Sequence, residues 1–235
     1  MSLWNWLFSK KQSMNGTPEL GSPDLSVAPS PSATAEAPPP YTAPPLDEQI
    51  RDQMRLAIAA GYLTQDEILQ AIVDMLYDEA GEEELYAMAA SQWSGLVAEQ
   101  RALQAEWPEV TDYDRLDAAF RSMEAKGIVA RQNFTCCGTC GSTEIWDEIE
   151  DARSVGADVR GYAFFHMQDT DRGVEGHGVY LNYGACEEGE GPAIEIANDI
   201  VAELRAHDLA PHWNGASSQR IGVPLDWKRR VDYAA

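Results

Sequence analysis

From residue 47 onward, apolar side chains recur every three to four positions, and this spacing predicts a run of helices. Ile50, Met54, Ala57 and Ile58 form the first stripe, with Asp47 as its cap, an end near Ala60 and Gly61 as the stop. Thr64-Gln-Asp-Glu67 has the spacing of a capping box, in which side chain and backbone satisfy each other's donors at a helix start. The helix behind it carries Ile68, Ile72, Met75 and Leu76 and is expected to end at Gly81. A third helix covers about 82–106 and stops before Pro108, because a proline disfavours helical geometry in the residue before it. Thr111-Asp-Tyr-Asp114 opens a fourth, with Leu116, Phe120 and Met123 inward and Gly127 as its end.

The period then changes. Ser142 or Thr143 is expected to cap a short helix reaching about Arg153. Arg160–Gln168 and Gly178–Tyr183 read as strands rich in aromatic and β-branched residues, with a loop between them. Pro192 suits the first position of a helix whose face is Ile194, Ala197, Ile200, Val201 and Leu204. Pro211–Trp213 and Arg220–Leu225 read as two further short strands. The fold class is therefore α+β: an N-terminal helical lobe, then a small, mainly antiparallel sheet in the order β-β-α-β-β with a covering helix.

Ahead of the helices the pattern is absent. Nine of the thirteen prolines fall in residues 12–46, a composition that cannot bury enough apolar area to offset chain entropy. Before it lies a short apolar island, Leu3, Trp4, Trp6, Leu7 and Phe8, closed by Lys10 and Lys11. As a helix, the island would set Leu3 and Leu7 side by side, with Trp4 and Phe8 next to them, fit to dock in a groove or on a membrane surface. It does not read as a secretory signal, since its apolar run is short and its charges follow it. Pro38-Pro-Pro-Tyr41 matches a short ligand of polyproline-reading domains, a match that comes cheaply in so Pro-rich a stretch. The expected organisation is a disordered tail over 1–46, a helical lobe over 47–133, and a cysteine junction with an α+β lobe over 134–235.

Charge narrows the function classes. The formal net charge is −22, which argues against nucleic acid or an anionic membrane as a partner, since both need clustered cations. No run of about 18 apolar residues is present to span a bilayer. Four cysteines in 235 residues do not make a disulfide scaffold, and their clustering suits a reduced, cytoplasmic setting.

Three of the four lie in Phe134-Thr-Cys-Cys-Gly-Thr-Cys-Gly141. Cys137-x-x-Cys140 is half of a zinc site, where zinc wants four ligands, usually from paired units. Cys136 is a further donor, although adjacent residues seldom face one ion, and His166 is a candidate completion along with His177 and His212. The same spacing at a helix start lowers a thiol pKa and suits redox chemistry, which Glu144, Asp147 and Glu148 in the following turn would oppose. A thioredoxin-like role would also need the motif inside a βαβ unit, and no strand is expected ahead of it. The plainest reading is three packed thiols, because free cysteine behaves as a small hydrophobe.

Other signals are weaker. His166 with Asp169 or Asp171 would make an oriented acid–base pair, or simply a histidine beside a turn. No P-loop, G-x-G-x-x-G or G-x-S-x-G motif is present. Glu187-Glu-Gly-Glu190 lacks the spacing of an EF-hand loop. Trp213, Trp227 and Lys228-Arg229-Arg230 form a basic, aromatic stretch that would hold the chain end against the acidic surface.

The stretches Lys126–Gly141, Gly161–Thr170 and Trp213-Asn-Gly…Arg220-Ile…Trp227-Lys-Arg-Arg230 together resemble the signature of a bacterial, largely actinobacterial, domain family of unknown function with an FTCC-x-x-CG motif. The resemblance covers roughly residues 50–230 and implies a soluble intracellular bacterial protein; it brings no assigned reaction. The resulting expectation is an acidic interaction or regulatory protein with no cofactor, tethered to an unknown protein partner through residues 1–46. The alternative is a metal- or thiol-dependent enzyme using the CCxxC cluster, with zinc as the metal.

Overall fold

The computed structural model describes residues 43–233. The apolar island, the Pro38–Tyr41 match and nearly all of the Pro-rich stretch lie outside the described residues.

The chain begins with three packed helices, α1 (Leu46–Ala60), α2 (Gln65–Met75) and α3 (Glu82–Ala105). The cap of α1 is Pro45, so Asp47 sits in the first turn, where a carboxylate complements the N-terminal end of the helix dipole. Gly61 ends α1 at φ 78°, a left-handed geometry open to glycine without cost. The Thr64–Glu67 capping box forms as expected. α2 stops at Met75 rather than at Gly81, and Gly81 caps α3 instead. Ile50, Met54, Ile58, Ile68, Ile72, Leu85, Ala89, Trp93 and Leu96 meet in one apolar cluster.

Helix α4 (Asp112–Ala125) starts with a second capping box, Thr111 with Asp114. Its inner face, Leu116, Phe120 and Met123, packs not on α1–α3 but in the core of the sheet. The sheet has four strands in spatial order β1-β2-β3-β4: β1 (Ile128–Arg131), β2 (Gly161–Phe164), β3 (Val179–Ala185) and β4 (Ile221–Val223). Two of its three pairings are antiparallel; β1 and β2 run parallel, Ile128 opposite Gly161 and Arg131 opposite Phe164. Helices α5 (Gly138–Ser154), α6 (Met167–Val174) and α7 (Glu190–Ala206) fill the connections.

The structure departs from the expected pattern at several points. A strand, β1, precedes the cysteine cluster, so the order is β-α-β-α-β-α-β. Helix α5 starts at Gly138, capped by Cys137, not at Ser142 or Thr143. The expected strand over 160–168 ends at Phe164, and helix α6 replaces the expected loop. The stretch Pro211–Trp213 contributes one isolated bridge, His212 to Gly222, and Pro192 stands third in α7.

The two cores are joined by residues 226–233, which run back over α1, α3 and α4. Trp227 packs edge-on to Phe165 and Tyr113, and its indole donates to the Ala59 carbonyl at 3.1 Å. Arg229 lies 4.2 Å over the Tyr62 ring and donates to the Tyr113 hydroxyl. Arg230 pairs with Asp114, and Tyr233 meets Trp93 edge to face. The basic, aromatic stretch thus ties the chain end down, as its composition suggests.

Candidate functional site

The carboxyl ends of β1 and β2 point the same way, and the segments that follow them converge. Ligand sites form at such strand ends because successive loops and helix N-termini meet there. After Arg131 the chain stays paired with the neighbouring segment: Phe165 N–H donates to Arg131 O, Phe134 N–H to Phe165 O, and Met167 N–H to Thr135 O. Two tight bends then turn the chain into α5. Asn133 has φ 51° and Thr135 φ 55°. Asparagine tolerates this left-handed region, whereas a β-branched threonine there costs about 1–3 kcal/mol. The Thr135 hydroxyl spans the bend to the Cys137 carbonyl at 3.2 Å, and Asn133 Oδ1 accepts from the buried Thr170 hydroxyl at 2.7 Å.

These bends gather the thiols. The Sγ atoms of Cys136, Cys137 and Cys140 all lie within 4.8 Å of one another, each thiol half-buried and none in a disulfide. Cys136 and Cys137 bring their sulfurs together although they are neighbours in the chain, at the point where extended backbone at Cys137 turns into the helix. Burial, together with the Cys140 and Cys137 thiols, pushes Cys136 up to about 12. Burial also acts to raise Cys137, but backbone N–H groups of Cys140 and Thr139 and the two neighbouring thiols donate to it and hold it below the ordinary thiol value. A helix N-terminus has this effect because its N–H groups lack partners within the helix.

One objection from sequence does not survive: the motif sits within a βαβ unit, β1-α5-β2. Of the three carboxylates in the turns after it, Glu148 takes the Arg131 guanidinium at 2.7 Å.

His166 caps α6, with Asp169 completing a third capping box. Its Nε2 lies 3.1 Å from Asp169 Oδ2, and its Nδ1 accepts from the Asp169 N–H at 3.3 Å. Burial, outweighing the Asp169 carboxylate and aided by Arg220, holds the imidazole pKa below its usual value, so the ring is neutral at neutral pH. Asp169 is 1% exposed and also receives Arg220, whose guanidinium reaches the Tyr180 carbonyl as well. It is Asp169 that faces His166.

A Cβ built on Gly138 would come 3.7 Å from the His166 ring, so the imidazole borders the thiols without entering the 4.8 Å group. His177, His212 and Cys186 stay outside it as well. Cys186 lies at the opposite end of the strands, where its N–H bonds the Arg160 carbonyl and burial raises its thiol pKa. Among the described residues no further group of three His, Cys, Asp or Glu donors gathers, the Glu187–Glu190 stretch included. Sequence reasoning missed Asn133, Thr170 and Arg220 as supports of this corner. The His166-x-x-Asp169 spacing, the same as in the two threonine boxes, was the available signal.

The fold and site define a mixed α+β protein with a triple-thiol corner at the carboxyl ends of two parallel strands, able to hold a metal ion. A family model described as a domain of unknown function, DUF6891, matches residues 44–231, and the chain belongs to that family. No curated protein and no solved structure matches it. No helix among the described residues is long and apolar enough to cross a membrane.

Proposed function

We propose that Cys136, Cys137 and Cys140 bind zinc, and that the metal fixes a corner of an acidic interaction or regulatory module working in the reduced cytoplasm of a bacterial cell. The observation that carries this reading is the three sulfurs within 4.8 Å at the first turn of α5. Around tetrahedral zinc, with Zn–S near 2.3 Å, sulfurs sit about 3.8 Å apart. The trio therefore needs to draw in by about 1 Å at most. The N–H groups that favour a Cys137 thiolate also favour the metal-bound form. Both ring nitrogens of His166 are engaged with residue 169, so three thiolates and a water make the coordination set. The strained Thr135 bend supports the reading, because strain concentrates where a site demands a special geometry. An interaction role is supported by the net charge and by the short apolar island at 3–8, which is suited to a protein groove.

Metal content of the full chain, purified without chelator, tests the proposal together with thiol reactivity. One zinc per chain is expected, lost in Cys137→Ser and in Cys140→Ser, and kept in Cys186→Ser and His166→Ala. A metal-free chain that takes up no zinc when it is supplied would overturn the proposal.

A further inference from the structure

A groove runs between α1, α3 and the Val174 end of α6. It encloses about 410 Å³ and is lined by Leu56, Ala59, Leu96, Leu103 and Val174. That volume lies within the range of about 300–1,000 Å³ typical of ligand sites. Leu103, in its lining, is 59% exposed and so presents an apolar surface to an occupant. The rim is acidic on balance. Asp47, Glu48, Asp52 and Glu99 surround Arg51 and Arg55, and Arg55 already pairs with Asp52 and Glu99.

We propose that the apolar island of the same chain, residues 3–8, docks in this groove with Lys10 and Lys11 toward the acidic rim. Three observations single out this occupant. First, the described chain begins beside the groove, since Pro45 lines the same edge as Asp52 and Arg55. Second, the distance is short. Leu46 to Ala59 is about 20 Å along α1 at 1.5 Å per residue, while 31 residues, 12–42, have a fully extended reach of about 100 Å. A tether that can span its sites supplies an effective concentration of up to about 1 mM, at which a contact with a dissociation constant of about 0.1 mM would be roughly nine-tenths formed. Third, the chemistry matches. Leu3, Leu7, Trp4 and Phe8 form one face at helical spacing, and Lys10 and Lys11 are the only cations ahead of Arg51. The groove would hold the segment at rest, and a partner recruited through the segment would have to displace it.

Indole N–H resonances of the full-length chain test this, with Trp4 and Trp6 identified through Trp4→Phe and Trp6→Phe. At least one is expected away from its free-chain position in the wild type, unchanged on tenfold dilution. It should return to the free position in Leu103→Asp, a surface change that leaves the five other indoles where they were. Leu7→Asp, on the segment itself, should release it equally. Both indoles at the free position in the wild type would overturn the proposal, as would displacement that persists in both variants. Displacement lost on dilution would assign the groove to a second copy instead.

Discussion

The helices α1–α3 and the sheet region bury comparable apolar clusters but very different polar groups. Within α1–α3 the buried polar side chain is Gln100; Thr111, His166, Asp169, Thr170, Asp171 and Glu203 are all buried around α4 and the sheet. Burying a polar group without a partner costs several times what a hydrogen bond contributes, so such groups persist only where partners are built around them. The sheet region invests in these partners: His166, Asp169 and Arg220 interlock, Thr170 meets Asn133, and Glu203 receives Ser122 and Lys126. The interior of the helical region is apolar, and its polar contacts, such as Arg55 with Glu99 and Arg51 with Gln92, lie on the exposed face. Chemistry is therefore to be sought at the sheet and docking at the helices, which is where the thiol corner and the groove lie.

The largest expected effect breaks the contact between the regions. Trp227→Ala removes a ring that touches Phe165, Tyr113 and Tyr62 and caps the Ala59 carbonyl. A loss of about 3–5 kcal/mol is expected. Urea unfolding followed by far-ultraviolet circular dichroism and by tryptophan emission should then give two midpoints. Coincident transitions would show that the regions are coupled by something other than this residue.

Asp169→Asn tests the polar side of the comparison. The amide can still cap α6, but it no longer neutralises Arg220, and a loss of about 1.5–3 kcal/mol follows from one charge-assisted hydrogen bond. A variant as stable as the wild type would mean that the interlock contributes nothing net.

The smallest effect is a pH dependence. Hydrogen bonds from Lys126 and Ser122, against the opposing pull of burial, hold the Glu203 carboxyl below its ordinary 4.5. A depressed folded value means that this stabilisation is fully present above the unfolded value and is lost as pH falls through the folded one. Glu203→Gln should be destabilised by about 1–3 kcal/mol at pH 7, and the gap from wild type should close below pH 4.5. A gap that stays constant down to pH 3 would remove the charge from the explanation.

How far the sequence foretold each region follows the same division. Helices α2 and α4 were legible because their starts are written locally, in Thr64-x-x-Glu67 and Thr111-x-x-Asp114. Strand β1 was not, since Ile128–Arg131 is four residues long and buried without alternation, leaving no period-two signal. Helix α6 was hidden because Ala163–Met167 continues the apolar run of β2 and its cap is a histidine, a residue outside the usual capping set. The start of α5 was misplaced because Ser142 and Thr143 are better caps on local grounds. Their hydroxyls bond back to Gly138 and Thr139 carbonyls within the helix instead, and the tertiary bend at Thr135 decides the start. The cysteines could be named from sequence, but their convergence could not, because it depends on two left-handed residues and on a strand pairing that no local pattern announces.

The returning segment 226–233 also sets an order of events in synthesis. Trp227 meets Ala59 across 168 positions. At roughly 5–20 residues per second, about 8–34 s pass between their translation. Counted from the completion of α3 at Ala105, 122 residues or about 6–24 s remain before Trp227 is made, and over that time Tyr62 and Trp93 lack the residues that will close over them. A chaperone acting on this protein would have its widest opening there.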